Sequence, residues 1–528
     1  MPTTHALPEQ EAPSTLNLAS VLLLGLSLVW CIYWFIHAWH YWEDDAYIHL
    51  EFARSVAAGR GFAFNGQVVA GDTAPLWVLL LAGTHIFVQD WMIGGKLLTV
   101  AGAVFGFAGM YAFARRLVRP LSSAAKIFPA AMVLLLAVNP YTCYWLFSGM
   151  EPIAAAGLAC FAVLAATRGR PAPSSFLTAC LMAGLAPLLR PEMIFLTGLL
   201  ALALFAQARR LRTSSAISRV AACIGGLILI AAPLVLWSIY SLHAFGHVVP
   251  NTNAAKRALP GDSVAVRLLS IYGVGFPVIL CGVLAGVALL LLRFSSVLQS
   301  FQDAISSHWR PQRESGSGRP ALPLEGWIFI LWAAIATVFY MVDHTYVQTR
   351  YILVTAPGLT VVVVYLFLRL SRRTARTLGL AAYVAAVAVS LAVTRPFIAN
   401  KAFDCNAVED LAMYLRTGIP ADAPVATYSI GELAFLSRHP IIDTGGIIRP
   451  DAIPYGMKSS DALVQWARSA GAQYYIDSAS PMPGATAVYT ADLPYIGWSF
   501  HPSLYETFEP VSLWKLPATG QGTPTSGP

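Results

Sequence analysis

Charge is scarce in this sequence. Only 12% of its 528 residues are Asp, Glu, Lys or Arg, while 57% are hydrophobic. Soluble domains carry roughly 25% charged residues. A water-soluble fold of this size is excluded, because that much apolar surface has no interior to hide in, and lipid must be part of the solvent. The formal net charge of +7 is not a nucleic-acid signal. The basic residues stand in short clusters beside apolar segments, where they set topology. Cys31, Cys143, Cys160, Cys180, Cys223, Cys281 and Cys405 include no CxxC pair, and most lie inside apolar stretches. They read as small buried hydrophobes rather than a metal or disulfide framework. No Walker A loop, HExxH, GxSxG or kinase signature is present. The first sixteen residues hold no Lys or Arg, unlike a secretory n-region, and residues 1–16 read as a disordered cytoplasmic tail.

Long apolar runs dominate what is there: 17–39, 92–114, 127–147, 152–167, 174–189, 193–208, 219–241, 268–292, 326–342, 352–369 and 377–394. Most approach the ~20 residues that span a bilayer, which predicts about eleven transmembrane helices. The segment 75–88 rises only about 21 Å as helix, so it is expected to lie at or dip into the interface. With the N-terminus cytoplasmic, the inside loops hold eighteen Lys and Arg, and the short outside loops seven. The positive-inside rule therefore predicts this orientation. The membrane body is expected over 17–394, with a large first periplasmic loop at 40–91 and an inside linker at 294–325. Beyond 395 the pattern changes. DLAMYLRTG, ELAFLSR and DALVQWARSAGA read as helices, and VATYS, PIID and QYYIDS as strands. The fold class is thus mainly α, a polytopic membrane protein with a C-terminal α/β periplasmic domain at 395–518 and a disordered tail at 519–528.

Polar residues recur where apolar runs end. Trp42-Glu43-Asp44-Asp45 follows the first run directly, and carboxylates near hydrocarbon are costly unless solvated or used. AYIHLEFARSVAAG then reads as an interfacial helix, with Glu51 and Arg54 paired at i, i+3. Helical neighbours point about 100° apart, so Asp44 and Asp45 cannot share one role. In the plain structural reading, Asp45 caps the helix and Asp44 is solvated. Arg190 and Glu192 end the run 174–189, either as a snorkelling ion pair or as a site. Asn251 and Lys256 lie in a Pro-Asn turn. His344, Arg350 and Tyr351 precede the run 352–369, as an aromatic belt or as a phosphate site, since guanidinium grips phosphate in bidentate fashion. Glu151 sits in the turn FSGMEP. Trp466, Tyr474 and Trp498 suit either a carbohydrate face or the core of the C-terminal domain. The near absence of central charge in the later runs argues against an ion-coupled transporter.

Taken in order, these blocks resemble a known family. DDAYIHLEFARSVAAGRGFAFNGQVVAGDTAPLW (44–77), FSGMEP (147–152), LRPE (189–192), VVPNTNAAK (248–256), TRYILVTAP (349–357) and VATYSIGELAFLSRHPIIDTGG (425–446) are similar to GT-C glycosyltransferases that use polyprenyl-phosphate sugars. The nearest resemblance is to bacterial arabinofuranosyltransferases that terminate mycobacterial arabinan, and to relatives that glycosylate type IV pilins. The resemblance implies an inner-membrane enzyme with three partners: a polyprenyl-phosphate sugar donor, a periplasmic glycan or protein acceptor, and the bilayer, with no nucleic acid. It implies Asp44 or Asp45 as the base, with Asp44 preferred. It also implies phosphate recognition by Lys256, Arg350 or Arg190, within a substrate-binding set that includes Glu192, Asn251, His344 and Tyr351. No cofactor is required, although an acidic pair also suits a divalent cation. A lipid-linked-sugar flippase or binding protein is the other reading, and it has no need of a base.

Overall fold

The structure is a computed structural model, and it describes residues 17–118, 126–213, 215–258, 263–280, 299, 301–302, 305, 322–369, 383–392, 408–491 and 511–517. The expected tails 1–16 and 519–528, most of the linker 294–325, Cys281, Cys405 and Trp498 lie outside the described residues.

Every one of the eleven apolar runs contains helix. In chain order the helices are α1 Leu18–His37, α2 Asp44–Ala57, α3 Pro75–His85, α4 Trp91–Val118, α5 Phe128–Ala137, α6 Pro140–Leu146, α7 Pro152–Ala166, α8 Pro173–Leu189, α9 Met193–Ala208, α10 Ala216–Phe245, α11 Asn251–Ala258, α12 Val264–Gly275, α13 Leu324–Asp343, α14 Thr349–Leu353 and α15 Ala356–Arg369. A further helix covers Tyr383–Ala392. Local chemistry sets their ends. Asn17 caps α1 through the Ser20 amide at 2.8 Å, Ser215 caps α10 through Ser218 at 3.0 Å, and α10 stops at Gly246 in a left-handed conformation. Along α1 and α10 most apolar side chains, such as Leu22, Leu26, Val29, Leu227 and Leu236, are exposed. Such helices are stable only against lipid.

Among the described residues four helices, α1, α4, α10 and α13, are each long and apolar enough to cross a membrane alone, and α5 and α6 are so only together, as a pair bent by 72° in the manner of a broken span or a re-entrant loop. The other apolar helices are shorter, because the chain turns early at Asn139-Pro140, Glu151-Pro152 and Arg190-Pro191-Glu192. Helix α3, at eleven residues, reaches only about 17 Å and falls short of the ~30 Å core, as expected. Small residues let α4 and α7 meet closely. A Cβ on Gly106 would stand 2.5 Å from the Ile153 oxygen, and one on Gly109 2.7 Å from the Gly157 oxygen.

The C-terminal α/β domain is present. It carries a helix at 408–418, then α16 Gly431–Ser437, α17 Ile453–Lys458 and α18 Ser460–Ser469, with β3 Val425–Thr427, β4 Ile441–Asp443, β5 Tyr474–Asp477, β6 Thr486–Ala491 and β7 Val511–Lys515. The strands β1 Ala63–Phe64 and β2 Gln67–Val68 form a small hairpin after α2. The domain's sheet order is β4-β3-β5-β7-β6. β3 pairs parallel with β4 and β5, while β7 pairs antiparallel with β5 and β6. Strand alternation sends Val425 and Tyr474 to one face, with Leu411 and Leu415, and Ala426 and Tyr475 to the other, with Val464 and Trp466. Trp466 and Tyr474 are each only 6% exposed. They build the two halves of the core, which is one of the two readings that their sequence allowed.

Candidate active site

The site gathers at one end of the helical body, around the N-terminus of α2. Glu43 is the residue before that helix and opens no side-chain cap. Instead it accepts hydrogen bonds from Tyr41, at 2.7 Å, and from Tyr144 of α6. Lys96 of α4 fastens this approach. It donates to the Tyr41 oxygen at 2.5 Å and the Phe147 oxygen at 2.7 Å, beneath the ring of Trp42.

Asp44 and Asp45 then take different partners, as their angular separation requires. Asp44 accepts the Glu432 amide at 3.0 Å, at the start of α16 in the C-terminal domain. Burial pushes its carboxyl up to about 7, partly opposed by that amide and reinforced by the charge of Asp45. Asp45 forms an ion pair with Arg350 of α14. Burial would raise its carboxyl as well, but Arg350 and Lys256 outweigh that and hold it below the usual range.

Cations surround one ring. Lys256 donates to the Tyr351 hydroxyl and its ammonium lies 4.8 Å from the ring centre. The guanidinium carbons of Arg190 and Arg350 lie 5.0 and 5.6 Å from the same ring. Arg350 also stacks over Trp145 at 5.4 Å. Arg190, just after α8, bonds Glu151 at 2.7 Å and Glu192 at 2.8 Å, and only 2% of it is exposed. Glu151 in turn faces His49, whose Nε2 stands 3.4 Å away, while His49 Nδ1 meets Asp72 at 2.5 Å. Burial would lower the imidazole, yet Asp72 and Glu151 raise it to about 10. Burial opposes ionisation of Glu151, and Arg190 with His49 brings it down to about 2.

Of the residues expected from sequence, Asp44, Asp45, Arg190, Glu192, Lys256, Arg350 and Tyr351 are brought together. Asn251 opens α11 at the rim, its amide donating to the Ala70 oxygen at 2.9 Å. His344 is exposed at the end of α13 and joins nothing in the cluster. Sequence reasoning missed His49 and gave Asp72 no role. The signal for His49 was its i+4 spacing from Asp45, which puts both on one face of α2. The acidic pair, which also suits a divalent cation, gives one Asp45 oxygen to a guanidinium and one Asp44 oxygen to an amide. Among the described residues no group of three or more His, Cys, Asp or Glu side chains is arranged for a metal ion.

Two expected outcomes follow from this packing. A Cβ built on Gly431 would overlap the main-chain oxygen of Asp44, so Gly431→Ala must push α16 away. Misfit of this kind costs about 1–3 kcal/mol, and a lower unfolding temperature in detergent is expected. An unchanged melting curve would count against this seat for the domain. His49 makes stability pH-dependent. Its folded value lies above the ordinary 6.5, so its contribution is complete below that pH and is lost as pH rises through about 10. His49→Gln should flatten the fall in melting temperature between those values, and an identical slope would refute the assignment.

The architecture is that of a multi-pass membrane protein of the GT-C fold class. ArnT from Cupriavidus metallidurans bound to undecaprenyl phosphate is similar over 93% of this chain and 97% of that one, with a TM-score of 0.55 and 14% identity. The apo form of the same protein matches over the same shares, with a TM-score of 0.50 and 14% identity. An Archaeoglobus fulgidus oligosaccharyltransferase in the apo form is more distant, covering 87% of this chain and 69% of that one, with a TM-score of 0.47 and 11% identity. Residues 398–522 match a domain of unknown function (DUF8728). No curated protein sequence matches the chain.

Proposed function

We propose that this chain is an inverting glycosyltransferase that moves a sugar, arabinofuranose by its sequence resemblance, from a polyprenyl-phosphate carrier to a periplasmic glycan or protein. One observation carries the reading. Six separated sequence blocks meet in a single cluster that joins a carboxyl raised to about 7, Asp44, to three cations around Tyr351. A sugar phosphodiester needs both kinds of group. Asp44 takes the acceptor's hydroxyl proton, and that oxygen bonds to the anomeric carbon as the bond from that carbon to the phosphate oxygen breaks. The leaving phosphate gains charge, which Arg350 and Lys256 offset. Asp45 positions Arg350. ArnT, one of the solved likenesses, is bound to undecaprenyl phosphate, which supports the donor class. The C-terminal domain, taken as 395–518, closes over Asp44 through α16 and so forms the acceptor side.

The test uses purified protein in nanodiscs with labelled polyprenyl-phosphate arabinose. Equal amounts of labelled product and free polyprenyl phosphate are expected. Tight binding of the donor with no sugar released to any acceptor or water would favour a flippase or binding protein instead. The proposed orientation has its own check. Reporters fused after residue 395 should be active in the periplasm, and those fused within 294–325 in the cytoplasm. The reverse pattern would put the site on the wrong side for a periplasmic acceptor.

A further inference from the structure

A second charged cavity lies at the far ends of the helices that reach the acidic site. Helix α4 carries Lys96 near its start and Arg115 and Arg116 near its end. Helix α7 follows Glu151 and is itself followed by Arg168 and Arg170. These four arginines and Arg212, beyond α9, line a cavity of about 550 Å³ together with Tyr111, and among the described residues its lining includes no Asp or Glu. Gln207 fixes the 168 turn by donating to the Arg168 oxygen. The Arg212 amide donates to the Pro171 oxygen at 3.0 Å. Arg116 gives its Nε to Glu325 at 3.0 Å, yet 42% of its side chain is exposed.

Topology alone asks only that basic residues stand near one membrane face. It does not ask three separate segments to line one concavity with arginines. Cations gathered around one concavity repel one another, and an anion bound there offsets the repulsion. Guanidinium groups match phosphate oxygens two at a time. The volume falls in the range of small-ligand sites and exceeds what one phosphate fills. Basic pockets between membrane helices are a known setting for anionic headgroups.

We infer that this cavity binds a phosphate-bearing anion of at least two charges, at the end of the bundle opposite the acidic site. The ligand is either the headgroup of an anionic phospholipid or a soluble diphosphate, and the test separates them. Full-length protein in zwitterionic nanodiscs is titrated with pyrophosphate. In a second arm, cardiolipin replaces part of the lipid. Melting temperature and ligand retention by native mass spectrometry are read in both. Saturable stabilisation is expected in at least one arm: pyrophosphate alone identifies a soluble ligand, and cardiolipin alone a headgroup. The triple variant R168Q/R170Q/R212Q should weaken that binding at least about tenfold. Should the triple variant not purify, the single variants Arg168→Gln, Arg170→Gln and Arg212→Gln decide, each expected to weaken binding roughly threefold. No saturation in either arm, or wild-type affinity in the variants, overturns the inference.

Discussion

Asp44→Asn should lower transfer by about 10²–10⁴-fold, the usual cost of losing a general base, while the protein folds and binds donor normally. The asparagine oxygen still accepts the Glu432 amide that Asp44 accepts, so the seat of α16 survives. What is lost is the proton acceptor. The wild-type rate should rise with pH through about 7 as Asp44 ionises, and this rise should vanish in the residual activity of the variant. Asp45→Asn should behave differently. It breaks the ion pair with Arg350, so weaker donor binding is expected, with a smaller fall in kcat. Steady-state kinetics on both variants separate the two roles. If Asp44→Asn keeps near-wild-type turnover, the base is elsewhere. Glu51 is held by Arg54 and His344 is exposed away from the cluster, so Asp45 would then be the residue to examine.

The second large effect concerns stability. Arg190→Ala removes a buried cation and leaves Glu151 and Glu192 facing each other without it. Deleting one member of a buried ionic cluster costs about 3–5 kcal/mol, because the surviving charge stays buried. Glu151 gives this a pH signature. Arg190 and His49 hold its carboxyl near 2, below the ordinary 4.5, so the stabilisation is present above 4.5 and is lost as pH falls through about 2. The deficit of the variant should therefore be largest near neutral pH and shrink on acidification, as read from unfolding temperature across the pH range. A deficit that stays constant down to the lowest workable pH would mean packing loss instead of charge loss.

Much of the scaffold was legible because lipid imposes a simple grammar. Each apolar run became helix, and α3 was short enough to fail as a span on length alone. The strands β3, β4 and β5 were readable from local composition. β6 and β7 were not read, and they complete the sheet by antiparallel pairing between segments distant in the chain. At the site, Asp44, Arg190 and Arg350 stood out as polar groups at the ends of apolar runs, and Lys256 as a cation in a Pro-Asn turn. His49 and Asp72 did not, because their meaning lies in a contact between the middle of α2 and the turn before α3. Trp466 and Tyr474 were open for a related reason. An aromatic residue has the same identity whether it faces sugar or core, and only the face that its helix or strand turns to the sheet decides which.

The contact between Asp44 and α16 uses a main-chain donor, and main-chain donors leave no mark on residue identity. In a set of related sequences, positions 44 and 432 need not vary together. Residue 431 is the one that must stay glycine, because a side chain there collides with Asp44. That single position therefore acts as a compatibility test for exchanging C-terminal domains between relatives. A transplanted domain with glycine where Gly431 opens α16 can sit against Asp44. One without it must dock elsewhere and leave the carboxylate uncovered.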